Sequence, residues 1–273
     1  LYRGYYRAYK QSYTGQRVDG NKGECTCYAE SRDGIEWEQP DLGIFTEETG
    51  GDKQEFTERW QQQDVLKEGL KNAILNEPPF SHNFSPFIDT RPGVPASERY
   101  KALAGTRVSG LYAFVSGDGI HWRKQGDKAA ISYNEEIHGV NAFDSQNVAF
   151  WSEVEQCYVA YFRHFKTPQG NIRTISRATS PDFLNWTDES RDFEAPNLPG
   201  EELYVNQTHP YFRAPHIYIA LPTRFSLRRI QGRPVEGNLG STDIMFMTTR
   251  AGSNSYQRLF KETFIRPGPD PER

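Results

Sequence analysis

Cysteine is scarce. The 273-residue chain has three, Cys25, Cys27 and Cys157, an odd number that fits small buried side chains better than a disulfide scaffold. Cys25 and Cys27 form a C-x-C pair whose side chains face one way on a strand. No second C-x-C or C-x-x-C completes a zinc site. The six His show neither H-x-x-x-H nor H-E-x-x-H spacing, so no zinc motif is present. No apolar run approaches about 18 residues, which excludes a transmembrane helix, and no basic-then-apolar leader opens the chain. A basic excess is lacking too. Lys+Arg number 32 against 36 Asp+Glu, a net charge of −4. A general nucleic-acid binder needs a basic surface to displace counterions, so that class is set aside. Hydrophobic content is 36%, below the roughly 45–50% that is usual, partly because this count leaves out Gly.

Rings and turn residues are plentiful: 15 Tyr, 17 Phe, 5 Trp, 23 Gly and 17 Pro. This points to a turn-rich β protein with an aromatic core. One segment recurs three times: Ser31-Arg-Asp33-Gly34-Ile-Glu-Trp37, Ser116-Gly-Asp118-Gly119-Ile-His-Trp122 and Ser180-Pro-Asp182-Phe-Leu-Asn-Trp186. Two of them have Asp-Gly in the turn, which is hairpin chemistry: Asp caps the turn, Gly takes φ > 0 and Trp re-enters the core. A degenerate fourth copy runs from Thr249 to Tyr256. Before the turns, strands are expected over Cys25–Glu30, Leu111–Val115, Thr174–Ala178 and Asp243–Thr248. Ahead of those come Leu1–Lys10, Glu98–Gly105, Gln156–Phe165 and Pro215–Phe225. Three copies add an inner strand, His82–Ile88, Asp144–Trp151 or Asn206–Phe212. Four-stranded units repeated at this scale read as blades of a β-propeller.

The expected fold class is therefore all-β, a five-bladed propeller. Residues 1–273 would form a single propeller domain with about four blades visible in whole or part. The strand that should precede Leu1–Lys10 is not in the sequence, so the first blade is expected to be truncated at its N-terminus and the ring incomplete. Residues 52–72 carry Phe56, Trp60, Val65, Leu66 and Leu70 among charges and Gln, which predicts a helical insertion or a long polar loop. The basic stretch Arg228 to Arg233 reads as a solvated turn.

Blades whose inner strand opens on an acidic residue and whose hairpins carry S-x-D-G-x-x-W resemble the five-bladed propeller glycoside hydrolase superfamily. That group includes invertase-like, arabinanase-like and neoagarooligosaccharide hydrolase-like enzymes, with mannoside phosphorylases as cousins. The resemblance covers most of the chain. It implies that the first residues of the inner strands face an axial funnel: His82 and Asn83, Asp144 and Gln146, and Asn206 and Gln207, preceded by Glu201 and Glu202.

Glycoside cleavage needs two carboxylates flanking the bond, one protonated and one ionised. Asp144 resembles the inner-strand Asp of the invertase-like enzymes, although it is followed by Ser where those have Pro. The resemblance implies that it stabilises the transition state or tunes the acid. Glu202 or Glu201 is the candidate general acid, and strand alternation allows only one of them to face the funnel. The base or nucleophile is expected upstream of residue 1. His138, Arg163, His209 and Arg224 join the funnel residues as candidate sugar-binding groups. Arg163, Arg213 and Arg224 together suggest an acidic or sulfated sugar, or phosphate. No cofactor is called for, and an axial Ca²⁺ is compatible with the fold. The leading reading is a glycoside hydrolase acting on an oligo- or polysaccharide. A non-catalytic sugar-binding or pseudoenzyme propeller and a glycoside phosphorylase stay open. An extracytoplasmic location would follow from the substrate class alone.

Overall fold

Alternating ring-rich strands and polar Ser-x-Asp turns give this chain little option but antiparallel sheet. The computed structural model describes residues 1–10, 15, 20, 23–45, 70–227, 229–230, 233–234 and 240–267. The chain divides into two compact units, Leu1–Tyr133 and Asn134–Arg273.

In the first unit β1 (Tyr2–Tyr9), β2 (Glu24–Ser31) and β3 (Ala73–Leu75) form one antiparallel sheet in that order. Among the described residues β1 pairs with β2 alone. A second sheet is a four-stranded meander of β4 (Ser85–Ile88), β5 (Tyr100–Thr106), β6 (Gly110–Ser116) and β7 (Arg123–Gln125). Strand order follows chain order, the topology of a propeller blade. Ala102, Ala104 and Phe114 of this sheet pack against Leu75 and Phe80. Burying a ring such as Phe114 contributes about 1.5–3 kcal/mol. Cys25 and Cys27 lie fully buried on one face of β2, with sulfurs 3.8 Å apart, and all three cysteines are free thiols.

The second unit opens with the single-turn helix α1 (Glu135–His138), capped by the Asn134 side chain. It continues into another four-stranded meander, β8 (Val148–Ser152), β9 (Cys157–His164), β10 (Thr174–Ser180) and β11 (Thr187–Asp188). Then come β12 (Glu201–Leu203), β13 (His209–Tyr211), β14 (Ala214–Ala220), β15 (Thr223–Leu227), β16 (Arg229–Ile230), β17 (Arg233–Pro234), β18 (Gly240–Ile244) and β19 (Met247–Arg250). They make sheets β13-β14-β19, β12-β15-β18 and β16-β17. The core joins Val148, Phe150 and Tyr161 to Leu203, Tyr218 and Met247.

The three Ser-x-Asp turns share one hydrogen-bond pattern. Ser31, Ser116 and Ser180 each accept from the backbone N–H three residues on, at 2.8, 2.9 and 2.9 Å. Asp33, Asp118 and Asp182 each accept from the next two N–H groups in turn. The residue after Asp has φ of +82° at Gly34, +77° at Gly119 and +71° at Phe183. Gly119 is fixed twice over, because a Cβ there would collide with Arg3 Nη1 and sit 2.7 Å from Tyr5 Oη. Phe183 tolerates its costly backbone because its ring is fully buried against Tyr158 and Trp186. Trp122 and Trp186 each donate to the carbonyl three residues back. Trp37 departs from the expectation of a core indole. It is exposed and packs across Gly4.

Other expectations need correction. The inner strands begin at Ser85, Val148 and His209, so His82, Asn83, Asp144, Gln146, Asn206 and Gln207 lie in the loops before them. Pro215–Phe225 is two strands in two sheets, separated at Leu221-Pro222. The opposite strand breaks at Met245-Phe246, yet the register runs through the bend: Ala220 faces Met247 and Thr223 faces Ile244. The basic stretch contributes a short hairpin, Arg229 opposite Pro234 and Ile230 opposite Arg233, rather than a plain turn. The helix expected over 52–72 falls almost wholly outside the described residues.

Candidate functional site

The second unit gathers two of the three candidate acids around one ring. Asp144 follows Phe143, a fully buried residue held at φ +63°. The Phe143 N–H donates to the Arg163 carbonyl at 3.1 Å. Asn147, fully buried, accepts from Arg163 N–H and donates to the Phe143 carbonyl, both at 3.3 Å. A strained, tied-down loop therefore presents Asp144 over the end of β9. Arg163 lies beneath it, 2% exposed. Its Nε and Nη2 donate to the Tyr204 carbonyl at 3.2 and 2.8 Å, and its Nη1 is 3.7 Å from Asp144 Oδ2. That spacing is an ion pair too long for a hydrogen bond. Burial lowers the Arg163 pKa to about 10 despite the opposing pull of Asp144.

Arg163 and Arg173 both approach the Tyr204 ring, at 5.0 and 4.5 Å from its centroid. Arg173 donates in turn to Glu202. Asp144 and Glu202 are thus linked through two guanidinium groups and Tyr204. Strand alternation sends Glu201 to the opposite face of β12. There it accepts from Arg258 at 2.8 Å and from Arg224 at 3.2 Å. Burial opposes ionisation of Glu201, but hydrogen bonds from Arg258, the Leu198 N–H and Arg224 outweigh it and hold its carboxyl below the usual range. Arg224 is itself committed, with Nε and Nη2 on Asp243 at 2.8 and 2.5 Å.

Several expected sugar-binding groups are occupied within the fold. His138 is 1% exposed; its Nδ1 accepts from Asn134 N–H and its Nε2 lies 2.6 Å from Asp188. Asn206, 2% exposed, donates to the Tyr161 carbonyl and accepts from Thr208 N–H. His209 stacks on Phe150. Gln207 is exposed at φ +53° and Gln146 is half-buried. The same holds in the first unit. There the buried His82 accepts from Arg7 at 2.9 Å and lies 3.3 Å from Glu24, and Asn83 is 9% exposed. Sequence reasoning missed Glu24, a fully buried carboxylate accepting from Arg7, Tyr9 Oη and Gly20 N–H. It also missed Arg173 and Tyr204. Among the described residues no group of three or more His, Cys, Asp or Glu is placed to hold a metal ion, and no helix is long and apolar enough to cross a membrane.

No protein-family model and no curated protein matches the sequence. Solved structures do. A chain described as a glycoside hydrolase superposes on 98% of this chain and 76% of its own, with a TM-score of 0.57 and 10% identity. A protein of unknown function from Dyadobacter fermentans DSM 18053 matches over 89% of this chain and 59% of its own, with a TM-score of 0.47 and 10% identity. An endo-arabinase from Bacteroides thetaiotaomicron VPI-5482 matches over 64% and 72%, with a TM-score of 0.39 and 11% identity. The first of these shows likeness of fold alone, for a nearly all-β chain of small antiparallel sheets.

Proposed function

We propose that the protein is a carbohydrate-active propeller, a glycoside hydrolase of five-bladed type, with Asp144 and Glu202 as the carboxylates of its site. The observation that carries this is the coupling of those two acids, 58 residues apart in sequence, through Arg163, Arg173 and Tyr204. Asp144 is the better exposed of the two and suits stabilisation of positive charge at the sugar. Glu201, held ionised by two arginines, is not the general acid. The likeness to a glycoside hydrolase supports the substrate class and goes no further, since fold alone does not fix activity.

One observation favours a second reading, a sugar-binding propeller without turnover. Every carboxylate of the cluster faces an arginine, an arrangement found in structural ion-pair networks as well as in active sites. Screening a panel of polysaccharides for reducing-end release, with wild type and Asp144→Asn side by side, separates the two. Release by wild type that collapses in the variant supports the hydrolase. Binding without release supports the second reading.

A further inference from the structure

At the Arg163–Asp144 pair of this site the cation lies inside and the anion outside, whereas the other pairs are largely buried on both sides. The side chains of Arg163, Arg173, Arg224 and Arg258 are 1%, 20%, 14% and 8% exposed. Each is matched where it stands: Arg163 by the Tyr204 carbonyl and Asp144, Arg173 by Glu202, and Arg224 and Arg258 by Glu201, with Asp243 also on Arg224. Arg163 Nη1, Arg173 Nε and Arg258 Nε have no hydrogen-bond acceptor, but all three atoms are buried, and Arg163 Nη1 lies behind the Asp144 carboxylate. The charged group most open to solvent is Asp144 itself, 41% exposed. Arg213, the remaining arginine of the sequence argument, is exposed on the turn between β13 and β14, against Phe212. That is the end of β13 away from Asn206.

We propose that this site selects neutral, hydroxyl-bearing sugars and rejects uronate, sulfate and phosphate groups. The inference rests on the carbohydrate reading above and names its substrate class. A sugar hydroxyl donates a hydrogen bond to Asp144, whose two oxygens accept about four in all. An anion has nothing to donate and meets like charge at the mouth of the site, where partial desolvation strengthens repulsion. Of the arginines that pointed to an acidic ligand, Arg163 and Arg224 are neutralised by partners of this chain, and Arg213 lies on the turn after β13, outside the Asp144–Glu202 cluster. The same balance leaves inorganic phosphate without a cradle and removes the structural basis for a phosphorylase.

The test is a glycan array carrying neutral and acidic glycans. It is followed by calorimetry of the best neutral hit and its uronate counterpart against wild type, Asp144→Asn and Asp144→Ala, with inorganic phosphate as competitor. Array hits are expected among neutral glycans, with at least a tenfold preference over the uronate. That preference should shrink about tenfold in both variants, because the repelling charge is gone. Melting temperatures should stay close to wild type. Acidic hits, phosphate competition or an unchanged preference in the variants would overturn the inference while leaving the carbohydrate reading intact. No hits of either kind would remove both.

Discussion

Two arginine–carboxylate clusters in this protein use the same residue types in opposite order. In the first unit Glu24 is fully buried and Arg7 is 41% exposed. In the second, the Arg163 side chain is 1% exposed and the Asp144 side chain is 41% exposed. A buried charge is costly unless paired and hydrogen-bonded, so each inner group is surrounded. Glu24 takes donors from Arg7, Tyr9 and Gly20. Arg163 spends two donors on one carbonyl and faces Asp144 with a third nitrogen. The outer group is what differs for function. A ligand reaching the first cluster meets a cation, and one reaching the second meets a carboxylate. On the proposed hydrolase reading, the second is the one that would offer negative charge to a developing oxocarbenium ion.

That contrast predicts opposite mutational signatures. Glu24→Ala strips the acceptor from a buried backbone N–H and from Tyr9, and leaves His82 and Arg7 without their carboxylate. It should destabilise the protein by about 3 kcal/mol, the low end for a broken buried pair because Arg7 can turn to water. Urea unfolding measures it, and a loss under about 1 kcal/mol would mean that the cluster is open and the contrast false. Asp144→Asn should do the reverse. Turnover should drop about 10²-fold, equivalent to about 2.7 kcal/mol. Stability should move by less than about 1 kcal/mol, since the Asp144 carboxylate is half-exposed. Normal turnover in a folded Asp144→Asn protein would take Asp144 out of the mechanism.

The clusters were unequally legible in sequence. Ser-x-Asp turns are local chemistry, and their hydrogen bonds span three residues, so the spacing alone located them. The loop at Asp144 is harder. Asp-Ser-Gln-Asn-Val-Ala-Phe-Trp carries a strand-like run, but the side chain of Asn147 satisfies backbone groups at Phe143 and Arg163 and delays the strand to Val148. The bend at Leu221-Pro222 did have a signal, because Pro222 has no N–H to give a ladder. Glu24 had none. It opens a strand beside Gly23, and its burial comes from Arg7 and His82, 17 and 58 residues away. Which of Glu201 and Glu202 joins Asp144 depended on Arg173 and Arg258, whose positions no local pattern encodes.

Asn147 allows the second cluster to be loosened without touching its charges. Asn147→Ala removes two hydrogen bonds in a fully buried place and should cost about 1–2 kcal/mol of stability. If the strained Phe143 backbone holds Asp144 over Arg163, turnover should also fall, by more than in Glu24→Ala compared at a temperature where both variants are folded. Equal losses in the two variants would make Asn147 a general brace rather than the tie of this loop.

The smallest effect is expected at Glu201, and its sign can be worked out in advance. Burial raises the cost of its charge, but Arg258, the Leu198 N–H and Arg224 more than compensate, so the folded carboxyl titrates below its ordinary value. A group depressed in this way contributes stability that is complete above its unfolded pKa, near about 4.3. The contribution is lost as pH falls through the lower folded value. Glu201→Gln should therefore melt below wild type at pH 7 and pH 5.5, and the gap should close only in more acidic solution. Asp33, Asp118, Asp182 and Asp188 are depressed as well. They share no partner with Glu201, so they weaken both proteins alike and cancel in the difference, whereas Asp243 shares Arg224 with Glu201 and adds to the same acid limb. Turnover should survive in Glu201→Gln far better than in Glu202→Gln, since the two neighbours face opposite sides of β12. A gap in melting temperature that stays constant down to pH 3 would show that Glu201 acts through shape and not through charge. Equal loss of turnover in the two variants would break the assignment of the Asp144 side of the strand to Glu202.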